Sequence, residues 1–244
     1  MKKTTIFICL LAALTSNAEE VQTLRDVTKS YLGSRYGENT IKCNADFEPI
    51  RKSAETVFDC VTFVEYSFAK YEALRKKEKQ EHVLAGLRYY DSVQDCIHRK
   101  HFFVADWLAT NELASPVSAE IADKLGIKVA TKATVIDRED WFYKVHDIEY
   151  TIDKEIINID YIPFDALAEA DPAAFAEDAL MLVVNTNEAL DISHVGFLFK
   201  IDGKLILRHA STVDRSVVDE DFFGYIRKYG TRRDLLGLAF WEIL

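Results

Sequence analysis

The chain has 244 residues, of which 49% are hydrophobic and 29% are charged, so it can bury a sizeable core. This composition is typical of a soluble globular protein and excludes a disordered chain. The formal net charge of −10 argues against nucleic acid or an anionic membrane surface as the main partner.

The first 18 residues have the pattern of a secretory signal peptide. Lys2 and Lys3 give a positive start, residues 6–14 form a short apolar core, and residues 16–18 read Ser-Asn-Ala, a small-residue cleavage site. The apolar core is too short for a stable membrane anchor. We therefore predict an exported protein, without a membrane anchor after cleavage, that forms a single domain over residues 19–244.

Removal of the signal peptide leaves three cysteines, Cys43, Cys60 and Cys96. An odd number in an oxidising compartment leaves at least one thiol free or paired between chains. One hypothesis is a Cys43–Cys96 disulfide with Cys60 free. The alternative is three free thiols, because the sequence does not fix the distance between Cys43 and Cys96.

Hydrophobic periodicity and turn residues predict the main elements in chain order. The expected helices cover residues 19–32, 60–76, 82–91 and 164–179, the last interrupted at Asp171–Pro172. Turns are expected at residues 115–117 and from 162. The expected strands cover residues 129–136, 149–157, 181–184, 193–201 and 204–211, the last two joined by an Asp202–Gly203 hairpin turn.

The residues around Cys60 read Phe-Asp-Cys-Val-Thr-Phe-Val-Glu. Apolar residues at helical spacing follow Cys60, and Asp59 is a good N-cap residue. A cysteine in the first turn of a helix experiences the positive end of the helix dipole, which lowers its pKa and favours the nucleophilic thiolate. We interpret Cys60 as a catalytic nucleophile. The alternative at this stage is a small buried hydrophobic residue at a helix start.

The segment from residue 96 to 107 is rich in aromatic and titratable residues. Cys96, His98 and His101 could be read as zinc ligands, but no fourth ligand follows at the usual spacing, so we predict no metal site. Arg99, Asp106 and Trp107 are candidates for substrate contact. The alternative for them is a structural ion pair beside a core tryptophan.

The predicted hairpin carries two histidines on one face. A two-residue turn places Gly196 opposite His209 and makes His194 a diagonal neighbour of His209, near enough for the two imidazoles to hydrogen-bond. We predict that His194 is the general base for Cys60 and that His209 orients the His194 ring. The alternative is two unrelated histidines.

Four sequence blocks together resemble the DUF1460 branch of the NlpC/P60 cysteine-peptidase superfamily, which is N-acetylmuramoyl-L-alanine amidase-like. The resemblance runs from about residue 24 to the C-terminus. One departure is that Val61–Thr62 follows the cysteine, where the general NlpC/P60 pattern has Ser-Gly. The blocks are Phe58–Glu65, the segment containing Arg99, His101, Asp106 and Trp107, Leu190–Gly196, and Arg208–Ser211.

The resemblance implies a papain-like α+β fold, with a cysteine-bearing helix packed on an antiparallel sheet that bears the histidines. It implies that Cys60 is the nucleophile, that His194 is the base and that His209 is the third polar residue, with no cofactor. The residues that it places near the substrate are Asp59, Trp107, Asp191 and Ser193.

The activity that the resemblance implies is cleavage of the amide between N-acetylmuramic acid and L-alanine in peptidoglycan fragments (muropeptides). Such a substrate suits a periplasmic or secreted protein. Three alternatives remain open: a γ-D-glutamyl–diamino acid endopeptidase, a non-catalytic peptidoglycan-binding or inhibitor-type protein, and a thiol acyltransferase acting on a lipid.

Overall fold

The structure, a computed structural model, describes residues 22–38, 41–44, 46–50 and 56–244. The predicted signal peptide, its cleavage site and the start of the predicted first helix lie outside these residues. Within them, no helix is both long enough and apolar enough to cross a membrane.

The helices of the described residues are interspersed along the chain with the strands of the sheet. Three short segments are 3-10 or π helix: Tyr90–Ser92, Phe103–Leu108 and Pro172–Ala174. The α-helices are α1 Leu24–Lys29, α2 Cys60–Lys76, α3 Gln80–Arg88, α4 Ala109–Asn111, α5 Ser118–Leu125, α6 Arg138–His146, α7 Phe164–Leu167 and α8 Phe222–Tyr229.

In the described part of the chain, ten strands form one sheet in the order β2-β1-β9-β8-β7-β6-β10-β5-β4, with β3 paired to β10. The β1–β2 pair is parallel and the other pairs are antiparallel. The strands are β1 Arg35–Tyr36, β2 Val57–Phe58, β3 Ala114–Pro116, β4 Ala130–Ile136, β5 Glu155–Pro163, β6 Asp178–Asn185, β7 His194–Ile201, β8 Lys204–Ser211, β9 Ser216–Asp221 and β10 Leu235–Ile243.

The central strands are buried on both faces, so two apolar layers enclose the sheet. Along β6, Leu180 and Leu182 pack on the layer that includes α1, α2 and α3, whereas Met181 and Val183 pack on the layer of α5, α7 and α8. This explains why β6 is a continuous apolar run without alternation.

Helix α2 is a core element. Its residues Phe63, Val64 and Phe68 are almost fully buried, and the rings of Phe63 and Phe68 each lie 5.6 Å from that of Phe197 on β7. Its Glu65 accepts a 2.7 Å hydrogen bond from Arg88 at the end of α3, and both side chains are buried. The prediction of a helix from Cys60 to Lys76 is confirmed, but the helix is buried on more than the single stripe expected.

Several predicted elements are shifted or replaced. The strand expected at residues 149–157 is β5, which begins at Glu155 and pairs residue by residue with β4. The expected turn at 115–117 overlaps strand β3. The long helix expected at 164–179 is wrong, because only α7 and one 3-10 turn form before β6 begins at Asp178.

The structure supports the disulfide hypothesis. Cys43 and Cys96 are bonded, with their Cα atoms 4.9 Å apart, and Cys60 is the free cysteine of the described residues. Because its partner is Cys43, Cys96 has no thiolate to offer a metal. The disulfide closes a loop with a sequence separation of 53 residues, and such a closure restricts the unfolded chain.

We expect the chain starting at Glu19 to show one titratable thiol without reductant and three after reduction. Replacing Cys43 and Cys96 together by serine should lower the free energy of unfolding by about 2–4 kcal/mol, because the unfolded chain regains its freedom. Thiol titration and denaturant unfolding measure the two effects. Three thiols without reductant would contradict the pairing.

Candidate active site

The start of α2 is built by a reciprocal cap. The Asp59 carboxylate accepts from the backbone N–H of Thr62 at 2.8 Å, and the Thr62 hydroxyl accepts from the backbone N–H of Asp59 at 2.9 Å. This capping box satisfies N–H groups that the first turn would leave unpaired. It fixes Cys60 as the first residue of the helix, as the sequence predicted.

The expected lowering of the Cys60 pKa is wrong. Burial raises the pKa of the Cys60 thiol to about 12, and the nearby Asp59 carboxylate raises it further, whereas backbone N–H groups of Val195 and Val61 act in the opposite direction. The helix dipole argument failed because desolvation outweighs the dipole at this depth. Cys60 is therefore a neutral thiol at neutral pH.

The two hairpin histidines meet as their register predicted. Phe197 pairs with Arg208 and Ile201 pairs with Lys204, which fixes the turn at Asp202–Gly203. Nε2 of His194 lies 2.8 Å from Nδ1 of His209, and the two rings are nearly perpendicular. Burial lowers the pKa of His194 to about 3. His194 is therefore a neutral imidazole at neutral pH.

A glutamate that the sequence interpretation missed completes this arrangement. Nε2 of His209 lies 3.2 Å from a carboxylate oxygen of Glu220 on β9. Burial lowers the pKa of His209, and Glu220 opposes that effect. The sequence predicts no strand at β9, so it assigns no role to Glu220.

Two tyrosines lie near Cys60, and one of them, Tyr225, also lies near His209. Burial raises the pKa of Tyr36 to about 12, and the Cys60 thiolate, at the high pH where it forms, and the Asp59 carboxylate raise it further. The pKa of Tyr225 is also raised, mainly by burial and in part by Cys60, and its ring lies 5.8 Å from that of His209. The thiol and the histidine pair therefore belong to one neighbourhood. Tyr36 and Tyr225 were both missed, because neither stands near Cys60 in sequence.

Cys60 and His194 are close in the fold without a direct hydrogen bond between them among the described residues. The backbone N–H of Val195, the residue directly after His194, donates a hydrogen bond to the Cys60 sulfur and lowers its pKa. In enzymes without substrate, catalytic hydrogen bonds are often long and tighten only in the reacting complex. This arrangement is compatible with proton transfer between the two groups.

A cleft of about 340 Å³ opens beside the histidines. It brings together three predicted site residues, Ser193, His194 and His209, whereas Cys60 and Asp59 are not among the residues that line it. Ser193 is exposed, as a substrate contact requires. The other lining residues are Val183, Asn185, Thr186, Asn187, Leu190, Thr212, Tyr225, Tyr229, Arg232, Asp234 and Leu235.

Two predicted substrate contacts are corrected by the structure. Trp107 is fully buried, stacked on Phe103 with ring centroids 5.0 Å apart, so it belongs to the core. Asp191 is 2% exposed and its carboxylate accepts from the backbone N–H groups of Val104 and Ile192. It therefore anchors the Phe103–Leu108 segment, a structural role in place of the expected contact with substrate.

The charged residues around Trp107 form structural pairs. Arg99 lies 3.4 Å from the buried Glu48, and Asp106 accepts hydrogen bonds from Arg138 and from Tyr90. These are the ion pairs that the sequence left open as the alternative to substrate contact. Arg99, Asp106 and Arg138 line a second cavity, which shares no lining residue with the cleft beside the histidines.

The fold resembles three solved structures over most of the chain. A Legionella pneumophila protein assigned to DUF1460 has a TM-score of 0.77 at 22% identity, covering 91% of this chain and 88% of that chain. An N-acetylmuramoyl-L-alanine amidase from Bacteroides uniformis has a TM-score of 0.68 at 20% identity, covering 90% and 97%. A putative xylanase from Bacteroides fragilis has a TM-score of 0.68 at 18% identity, covering 89% and 99%.

At these identities the solved structures show the shared fold alone, a mixed α+β architecture around a large sheet. The sequence itself matches the family model described as AmiA-like, N-acetylmuramoyl-L-alanine amidase-like, over residues 26–231. The chain therefore belongs to this amidase-like family, as its sequence blocks predicted. No curated protein matches the chain in sequence.

Gly196 should be intolerant of any side chain. A Cβ atom there would lie 2.7 Å from the Cβ of His209 and 3.0 Å from the backbone oxygen of Arg208. We expect Gly196→Ala to displace His209, to cost about 1–3 kcal/mol of stability and to lower turnover. Gly86→Ala is the matched control, because the nearest atom to its added Cβ is 3.8 Å away. Equal unfolding free energies for the two variants would contradict this packing.

The raised pKa of Cys60 predicts how its reactivity depends on pH. We expect its alkylation by iodoacetamide to accelerate about tenfold per pH unit from pH 7 to 10, because a thiol with a pKa near 12 gains thiolate throughout that range. The unfolded chain should instead level off above its ordinary pKa of about 8.5. Peptide mapping without reductant reports Cys60 alone. A plateau of the folded chain below pH 8 would indicate an activated thiolate.

Proposed function

We propose that the protein is a cysteine amidase that hydrolyses the bond between N-acetylmuramic acid and L-alanine in peptidoglycan fragments. The observation that carries this proposal is the free thiol of Cys60 at the start of α2, in one neighbourhood with the neutral His194–His209 pair. Membership of the amidase-like family supports the same bond. We further propose that this arrangement is papain-like and of the NlpC/P60 type.

The first half of the reaction forms an acyl-enzyme. The Cys60 proton moves to Nδ1 of His194 as the sulfur attacks the amide carbon, since the other ring nitrogen of His194 is occupied by His209. The tetrahedral oxyanion accepts hydrogen bonds, for which the backbone N–H of Cys60 and the neutral phenol of Tyr36 are the candidate donors. His194 then gives its proton to the leaving amine, and the peptide that begins with L-alanine departs.

The second half reverses these roles. Water attacks the thioester while His194 accepts one of its protons, the carbon–sulfur bond breaks, and the sulfur regains a proton. The muramic acid part is released as a carboxylic acid that loses its proton to solvent, and Cys60 and His194 are again neutral. Ser193 lines the cleft and is exposed, so it is the predicted substrate contact that remains accessible. Asp59 acts through the cap of α2, which holds Cys60 at the helix start.

The rival functions differ in the bond or in the chemistry. A γ-D-glutamyl–diamino acid endopeptidase would use the same three groups on a bond further along the stem peptide. A peptidoglycan-binding protein would need a cleft but would have no use for a base paired to an orienting residue. The 2.8 Å hydrogen bond between the histidines therefore favours an enzyme. An export signal, the disulfide and a cell-wall substrate together support a location in the periplasm or outside the cell.

The test is digestion of purified disaccharide-peptide muropeptides, with the products weighed by mass spectrometry. We expect a free stem peptide that begins with L-alanine. Cys60→Ala and His194→Ala should each lower kcat/KM more than about a thousandfold, because each removes a group that reacts. His82→Ala, at an exposed histidine on α3, is the matched control and should keep full activity.

Other products would decide against the amidase. A muramyl dipeptide would indicate the endopeptidase, and intact muropeptide with Cys60 shown to be reduced would indicate a binding protein. Retained turnover in Cys60→Ala would contradict the thiol mechanism whatever the product.

A further inference from the structure

A carboxylate stands behind the two histidines on the neighbouring strand. In the β8–β9 pair, Val218 lies opposite His209 and Glu220 lies opposite Leu207, so Glu220 is the diagonal neighbour of His209 on the same face. Its two oxygens have different partners: one lies 3.2 Å from Nε2 of His209, and the other 3.4 Å from the Lys228 ammonium on α8. Glu220 is thus held in place from α8 while it faces the imidazole.

The direction of each hydrogen bond in this row follows from its chemistry. A carboxylate only accepts, so Nε2 of His209 carries the proton that it donates to Glu220. A neutral imidazole has one N–H, so Nδ1 of His209 is then an acceptor. Nε2 of His194, 2.8 Å away, must donate to it. Nδ1 of His194 is therefore left without a proton.

The alternative proton arrangement would disable the base. If Nδ1 of His209 carried the proton, Nε2 of His194 would accept it and Nδ1 of His194 would be protonated. That nitrogen could not take the proton of Cys60. Burial keeps both rings neutral, so charge does not choose between the two arrangements and the Glu220 acceptor has to.

We propose that Glu220 is a positioning residue that fixes the proton positions on both histidines and so keeps Nδ1 of His194 free to accept from Cys60. The inference deepens the proposed function and rests on it for its kinetic consequence. Glu220 itself takes no proton during the reaction. The proton passes from Cys60 to Nδ1 of His194 and from there to the leaving amine, and it is not transferred to His209. His209 and Glu220 keep their hydrogen bonds throughout.

The direct test is the ¹⁵N chemical shifts of the histidine rings at neutral pH in the full chain after signal removal. We expect His194 and His209 of the unmodified protein both to show protonated Nε2 and bare Nδ1. Glu220→Met keeps the size of the side chain but removes the acceptor, so both rings should become mixtures of the two arrangements. Glu220→Gln retains an acceptor oxygen and should restore most of the original pattern.

Kinetics provide the second readout. We expect Glu220→Met to lower kcat about two- to tenfold on muropeptides, in proportion to the fraction of His194 that keeps a bare Nδ1, while KM is unchanged because the ring positions a proton and does not hold substrate. Glu220→Gln should recover most of that loss. Glu242→Met is the matched control, because Glu242 is an exposed glutamate of β10 outside the site, and it should change neither readout.

Two results would overturn the inference. Unchanged ring nitrogen shifts in folded Glu220→Met would show that another group sets the proton positions. A fall in kcat that Glu220→Gln does not relieve would show that the residue only supports the fold. If Glu220→Met does not fold, Glu220→Asp withdraws the carboxylate by one methylene and decides the same question. A protein that cleaves no muropeptide defeats the proposed function, but the ring shifts still decide the role of Glu220.

Discussion

Burial of the first turn of α2 against the start of β7 is the constraint on which the site depends. The rings of Phe63 and Phe68 pack on Phe197, and this contact fixes the helix axis relative to the hairpin. The Asp59–Thr62 cap then fixes where the helix begins. The backbone of Cys60 is therefore fixed beside β7, the strand that carries His194.

The same burial determines the protonation states. Desolvation penalises a thiolate and an imidazolium alike, so it raises the pKa of Cys60 and lowers that of His194. A resting thiolate–imidazolium pair is disfavoured on both sides. In the proposed reaction, proton transfer accompanies attack on the substrate, when the developing negative charge moves from sulfur to an oxygen that donors can reach. A neutral thiol is a weak nucleophile, so we expect Cys60 to react slowly with other electrophiles at neutral pH.

The sequence was sufficient wherever the determining interaction is local. The cap of α2 is specified by Asp59 and Thr62, and the hairpin register is specified by Asp202–Gly203, so Cys60, His194 and His209 were placed correctly. Local patterns failed where tertiary contacts decide. The alanine-rich stretch before β6 favours a helix by propensity alone. Most of it is nevertheless loop, because Phe175 packs into the apolar layer beside Phe222 and Phe240.

The prediction of site residues failed for the same reason. Trp107 and Asp191 stand in blocks that include or adjoin predicted catalytic residues. Trp107 nevertheless packs in the core, and Asp191 is buried in the connection before β7, where it anchors backbone. Tyr36 comes from a strand of two residues, too short to recognise. Glu220 comes from a polar strand, and the sheet order β9-β8-β7 brings it near the histidines.

The proposed reacting groups and the lining of the cleft come from different kinds of element. The proposed reacting groups lie on one helix start and on paired strands, elements whose geometry is set by the core and by ladder hydrogen bonds. Apart from Val183 and the two histidines, the cleft beside them is lined from residues 185–193, from Thr212 and from residues 225–235, which are largely connections between elements. Loops vary more readily than the strands that they join. At about 20% identity, solved relatives share the scaffold with this chain, so its substrate preference has to be determined from its own cleft.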